Sequence, residues 1–152
     1  LLRWFQSTTL FKNKFMAFKL ITPKNTRDVR SVKRAGSLAT TVDALYFNSI
    51  TTGSIQLAVA ATTANQVLYK ANETTTASTN PFSATIVSKD DEFIVDTENN
   101  SNAAHNGQRM ILGTTGLTLN NTGTDVAGVT GVFVQLDVVG AAADKKIIAR
   151  RV

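Results

Sequence analysis

Five carboxylates crowd into residues 90–98: Asp90, Asp91, Glu92, Asp96 and Glu98. Oxygen donors at this density suit Ca²⁺, which takes about 6–8 such ligands. Their spacing matches neither the EF-hand loop nor the nonapeptide Ca²⁺ repeats. On a strand, Glu92, Ile94 and Asp96 point one way and Phe93 and Val95 the other. The segment therefore reads as an acidic edge, facing solvent or a partner, above an apolar pair; a cation site at Asp90–Glu98 is the alternative. His105 is the chain's one histidine and stands in SNAAHNG. A general base needs a nucleophile and an orienting partner within hydrogen-bond reach. No GxSxG-type elbow lies near it, so it reads as an exposed loop histidine. The chain has no cysteine, which excludes thiol nucleophiles, disulfides and Cys-ligated metals. GxGxxG, GxxxxGK[ST] and HExxH are all missing. Asn-x-Ser/Thr triplets begin at Asn72, Asn99 and Asn120, as chance provides in a chain so rich in Asn and Thr. The expectation is a non-enzymatic protein with no catalytic residue, no cofactor and no metal.

Charge is distributed unevenly. Residues 1–34 hold nine Lys/Arg and one acid, Asp28. Residues 35–140 hold three bases against nine acids, and residues 141–152 four bases against one acid. A basic arm, an acidic body and a basic tail result, within an overall charge of +5. The 152 residues suffice for one domain. No apolar run reaches the roughly 18 residues of a membrane span.

Thr (22), Val (14) and Asn (12) dominate alongside 18 Ala, while Pro occurs twice. Thr and Val favour strands; Asn and Gly favour turns. Short β-like runs recur at roughly ten-residue spacing, the pattern of a sandwich or small barrel. They are ALYF (44–47), SIQLAVAA (54–61), NQVLYKA (65–71), FSATIVS (82–88), EFIVD (92–96), QRMILG (108–113), GLTLNNTGT (116–124), VTGVFVQLDVVG (129–140) and KKIIARRV (145–152). ETTTASTNP (73–81) reads as an exposed loop, and TENNSNAAHNG (97–107) as a long polar loop ending in the tight-turn pair Asn106-Gly107. In the 129–140 run, Val132, Val134 and Leu136 share one face and Phe133, Gln135 and Asp137 the other. Helix candidates are limited to 24–34 and a turn near Thr62–Gln66.

The predicted organisation is a basic N-terminal arm over 1–34 and a single β domain over 35–152. Residues 1–15 precede Met16 and read as an upstream extension outside the folded body. A docking role through Trp4, Phe5, Phe11 and Phe15 is the alternative. Residues 17–34 pair an apolar anchor (Phe18, Leu20, Ile21) with a cationic stretch (Arg27, Arg30, Lys33, Arg34), divided by Pro23. On a helix, Arg27, Arg30 and Arg34 share a face; on a strand they splay. The segment reads as a solvated surface, or as a contact for an acidic partner surface or nucleic acid.

The body resembles small virion proteins of tailed bacteriophages. FIVDT, GQRMIL, LNNTGTD, GVFVQLDVVGAAADKK and the basic last strand carry the likeness, which spans roughly residues 30–152. The family is that of capsid decoration (cement, head-stabilising) proteins. The resemblance implies a β-barrel or β-tulip body, a position on the outer capsid surface of the virion, and the major capsid protein as partner. It also implies a homo-trimer or capsid-templated oligomer. Other virion roles, a head-fibre base, tail or minor capsid protein, form the runner-up. Carbohydrate binding lacks exposed aromatics beyond the arm. Nucleic acid is disfavoured because the acidic body repels a polyanion.

Overall fold

Period-two burial runs through the second half of the chain and fixes which face of each strand is the core. In a computed structural model, residues 18–21, 29–34, 36–48, 55–58, 67–125 and 131–152 are described. Among them strands dominate and two short 3₁₀ turns are the helical part, so the fold is all-β. Thirteen strands follow in order: β1 (Phe18–Leu20), β2 (Val29–Val32), β3 (Leu38–Thr40), β4 (Leu45–Asn48), β5 (Ile55–Leu57), β6 (Leu68–Ala71), β7 (Thr75–Ser78), β8 (Phe82–Val87), β9 (Glu92–Thr97), β10 (Arg109–Leu112), β11 (Thr118–Asp125), β12 (Phe133–Val139) and β13 (Lys146–Arg151).

Strands β9, β11, β10, β12 and β13 form a closed five-stranded barrel, because β13 pairs back onto β9. One edge of β9 is taken by β13 from Glu92 to Asp96. The opposite edge is shared. Strand β11 runs parallel to it at Asp96 and Thr97 only, and β1 runs antiparallel to it at Phe93–Val95. Register shifts at Met110/Ile111 and Gln135/Asp137 bend β10 and β12, the device by which a small sheet curls closed.

Inside the barrel, Phe18, Phe93 and Phe133 form an aromatic triad with ring centroids 5.3–5.9 Å apart. Each is at most 1% exposed. Val95, Met110, Leu119, Ile147 and Ala149 complete the packing. Phe93 and Val95 are thus the apolar pair that alternation assigns to the core.

A second sheet runs β2-β8-β6-β4-β5. Leu45, Leu68 and Val87 join the barrel core, while Val32, Tyr46, Ile55, Ala71, Phe82 and Ala84 form a separate cluster. Leu117 packs against both clusters. Gly116 joins the two bodies: its carbonyl accepts from the Leu45 amide at 2.9 Å. Its φ is +69°, and a Cβ there would lie 2.7 Å from Leu57 Cδ1 and 3.0 Å from the Leu45 carbonyl oxygen. Both the backbone conformation and the space require glycine.

Three expectations are corrected. The 73–81 stretch is not a loop throughout: Thr75–Ser78 is strand β7, paired with β3, since β-branched Thr suits a strand even without apolar neighbours. Within the 24–34 stretch, Val29–Val32 is a strand paired with β8 rather than helix; residues 24–28 and 62–66 lie outside the described residues. The folded body also extends to β1 and β2, which the sequence reading assigns to the arm.

Phe18→Ala is expected to lower the unfolding free energy by about 3–5 kcal/mol, as expected for removing a buried aromatic ring. Gly116→Ala should cost about 1–3 kcal/mol through strain and overpacking. Urea denaturation measures both; a change below about 0.5 kcal/mol for either would remove that residue from the core.

Candidate docking surface

Strand β2 is the terminal strand of its sheet among the described residues. Three of its four residues, Val29, Arg30 and Ser31, are exposed, and Val32 turns into the second core cluster. Val29 is 47% exposed, unusual for an aliphatic side chain on a paired strand. The segment before it, 22–28, carries Lys24 and Arg27 in the sequence and lies outside the described residues. On its other side, Ile21 is 43% exposed, although its amide donates to the Glu92 carbonyl at 2.8 Å.

Cross-strand register places Arg30 opposite Ala84 and Tyr69 opposite Ile86. These residues share one sheet face, since directly paired residues point the same way. They surround a groove of about 300 Å³. Its floor is Ile55, Tyr69 and Ile86; its rim is Arg30, Ser31 and Lys33. An apolar floor under a cationic rim suits an acidic segment that also inserts a hydrophobic side chain.

The structure separates the residues predicted for the grip. Arg30 and Lys33 are exposed on β2 and just beyond it. Ile21 is exposed, Leu20 is half-buried against the barrel core, and Arg27 lies outside the described residues. Phe18 and Arg34 are not available to a partner. Phe18 is a member of the aromatic triad. Arg34 is 7% exposed and its guanidinium lies 5.2 Å from the centre of the Phe82 ring. Its Nη1 donates to the Leu38 carbonyl and, at 2.8 Å, to Thr75 Oγ1. Arg34 therefore ties β3 and β7 to the end of β2.

The acidic stretch is also dispersed. Asp96 is not on a solvent face: it is 8% exposed and pairs with Lys146, its register partner on β13, at 2.6 Å. Asp91 is buried and accepts from the Ser88 amide at 2.7 Å. Glu98 accepts from the Thr114 amide at 3.0 Å. Asp90 stands 3.9 Å from Arg150. These four carboxylates engage different partners, and among the described residues no three His, Asp or Glu side chains converge as a metal site would require.

His105 is half-buried rather than exposed, with its Nδ1 enclosed and without a hydrogen-bond partner. It belongs to a 3₁₀ turn, Ala103–His105, capped by Asn102. Gln135, fully buried, donates from Nε2 to the Asn102 carbonyl (2.8 Å) and Asn106 Oδ1 (2.7 Å). Asn121 accepts from the Asn99 amide and donates to the carbonyls of Asn99 and Asn100. The polar 97–107 loop is thereby tied to the barrel at both ends.

No protein-family model, curated protein or solved structure matches the chain. Among the described residues, no helix is long and apolar enough to cross a membrane.

The groove floor escapes sequence reading because its three residues come from three different strands. The basic rim is legible from charge alone. Arg34→Met is expected to destabilise the fold by about 2 kcal/mol, since it strips charge-assisted hydrogen bonds from the Leu38 carbonyl and Thr75. Arg30→Gln and Lys33→Gln should each change stability by less than about 0.5 kcal/mol. Thermal or urea melts of the three variants decide; equal losses in all three would assign Arg30 and Lys33 to the fold instead.

Proposed function

We propose that this protein is a non-enzymatic structural component of a tailed-phage virion. It binds the outer surface of the capsid and stabilises the shell as a decoration protein. The observation that carries the reading is the β2 groove, with an apolar floor of Ile55, Tyr69 and Ile86 and a rim of Arg30 and Lys33. The partner is the major capsid protein, through an acidic segment that lies along β2 and seats an apolar side chain in the groove. A terminal strand also offers main-chain groups to an added strand. The closed barrel supports the same role, since a rigid body presents the groove with little loss of conformational freedom on binding. The sequence likeness over residues 30–152 supplies the virion context. Occupancy as a trimer, or as copies arrayed by the shell, lets modest contacts add by avidity.

Cosedimentation with assembled shells of the parent virus tests this. Wild-type protein is expected to bind saturably at a fixed ratio to the shell subunit. Arg30→Glu with Lys33→Glu should weaken binding at least about tenfold by bringing like charges together. Salt at about 0.5 M, where the Debye length shrinks to ~4 Å, should weaken the wild type in the same direction. No saturable binding would reject the decoration role. Saturable binding untouched by the double substitution would place the contact elsewhere on the body.

A further inference from the structure

Asn106 and Gly107 form the pair that ends the long polar loop, and Asn-Gly occurs nowhere else in the chain. The pair carries a chemistry of its own, independent of the decoration role. In an Asn-Gly sequence the glycine nitrogen can attack the side-chain carbonyl carbon of the asparagine, because glycine has no side chain to obstruct the approach. The bond from Gly107 N to Asn106 Cγ forms. The Nδ2 group leaves as ammonia, taking the proton that Gly107 N gives up, and a five-membered succinimide remains. Water then opens the ring. Cleavage at Cγ gives aspartate, and cleavage at the main-chain carbonyl gives isoaspartate. An amide and a water become a carboxylic acid and ammonia, with nothing oxidised or reduced.

The turn itself demands the reactive sequence. Gly107 has a φ of +84°, and nothing lies within 4 Å of where its Cβ would stand. Backbone conformation, rather than packing, therefore calls for glycine here. Asn106 and Gly107 are both exposed, so water reaches the site.

The fold nevertheless holds both reacting groups, and one residue does so. The Gly107 amide, whose nitrogen is the attacking atom, donates to the Gln135 carbonyl at 2.8 Å. The Asn106 side chain, which carries the carbon under attack, accepts at Oδ1 from Gln135 Nε2 at 2.7 Å. The same Nε2 donates to the Asn102 carbonyl at 2.8 Å, at the start of the Ala103–His105 turn. Gln135 is an anchor with little freedom of its own: it is fully buried, and its amide donates to the Gln108 carbonyl at 3.0 Å. It also occupies a core-facing position of β12, two residues from Phe133 of the aromatic triad. A polar side chain is costly there, and its Oε1 is enclosed without a hydrogen-bond partner among the described residues. Its hold on the loop gives this glutamine a role that an apolar residue would not fill.

We propose that Asn106 is a site of spontaneous conversion to aspartate and isoaspartate, and that Gln135 sets its rate. Ring closure runs only through an opened loop in which Gly107 N and Asn106 Oδ1 have both left Gln135. Isoaspartate adds a carbon to the main chain at 106, so the converted loop no longer matches the spacing of its two bonds to Gln135.

Peptide mapping by mass spectrometry tests this on the full chain, kept in mildly alkaline buffer with and without urea. In urea, Asn106 is expected to convert faster than any other asparagine. In the native protein it should convert at least about tenfold more slowly than in urea. That factor should match the hydrogen-exchange protection of the Gly107 amide to within about threefold, because both reactions pass through the same opening. Gln135→Met keeps an unbranched side chain and removes the donor; the folded variant should convert Asn106 at least about threefold faster than wild type. Equal rates in native protein and in urea, or a retardation unrelated to Gly107 protection, would overturn the proposal whether or not the variant folds. A folded Gln135→Met protein with an unchanged Asn106 rate would also overturn it.

Discussion

Barrel closure by β13 leaves the other edge of β9 to be completed by two strands of opposite direction. Strand β11 covers that edge only at Asp96 and Thr97. Left at that, the backbone groups of Phe93–Val95 on this edge would lack a ladder partner, and buried backbone polar groups are costly to leave unpaired. Strand β1 fills the gap, and in doing so delivers Phe18 onto Phe93 and Phe133. The same three residues thus satisfy the ladder and complete the core. A segment that composition presents as a loose basic arm is fastened at Phe18–Leu20 by both hydrogen bonding and apolar burial.

That fastening divides the labour within the N-terminal segment. Strand β1 serves the barrel, and Arg34 ties β3 and β7 to the end of β2. Arg30 and Lys33 keep their charges at the surface beside an apolar groove. Stability and docking therefore fall on different residues only a few positions apart. The barrel side is similarly organised. Asp96 and Lys146 pair across β9 and β13, Gln135 and Asn121 secure the long polar loop, and Gly116 seats the barrel against the five-stranded sheet. A body tied down at so many points presents its surfaces with little rearrangement.

Much of the strand pattern was legible in the sequence because a period of two is a local property. Phe93 and Val95 face the core as alternation requires, and the runs 82–88, 92–96, 108–113 and 145–152 all contain strands. What was not legible is pairing. Nothing near Phe18 reveals that its partner is Val95, and nothing near Asp96 reveals Lys146. The Thr75–Ser78 strand was hidden by polarity: its support comes from β3 and the Arg34–Thr75 bond rather than from apolar burial. Arg34 and Arg151 were counted with basic segments, yet both turn inward, since a charge tally carries no direction. The β2 groove draws residues from several strands and emerges only once the register is set.

The division of the N-terminal segment is tested most directly by native-state hydrogen exchange at the Ile21 amide, which donates to the Glu92 carbonyl at the end of the β1–β9 ladder. If β1 is part of the barrel, this amide exchanges only with global unfolding, at the same opening free energy as the amides of β9 and β13. If Ile21 exchanges by local opening several kcal/mol below that limit, β1 leaves the barrel in solution, and the segment is an arm after all.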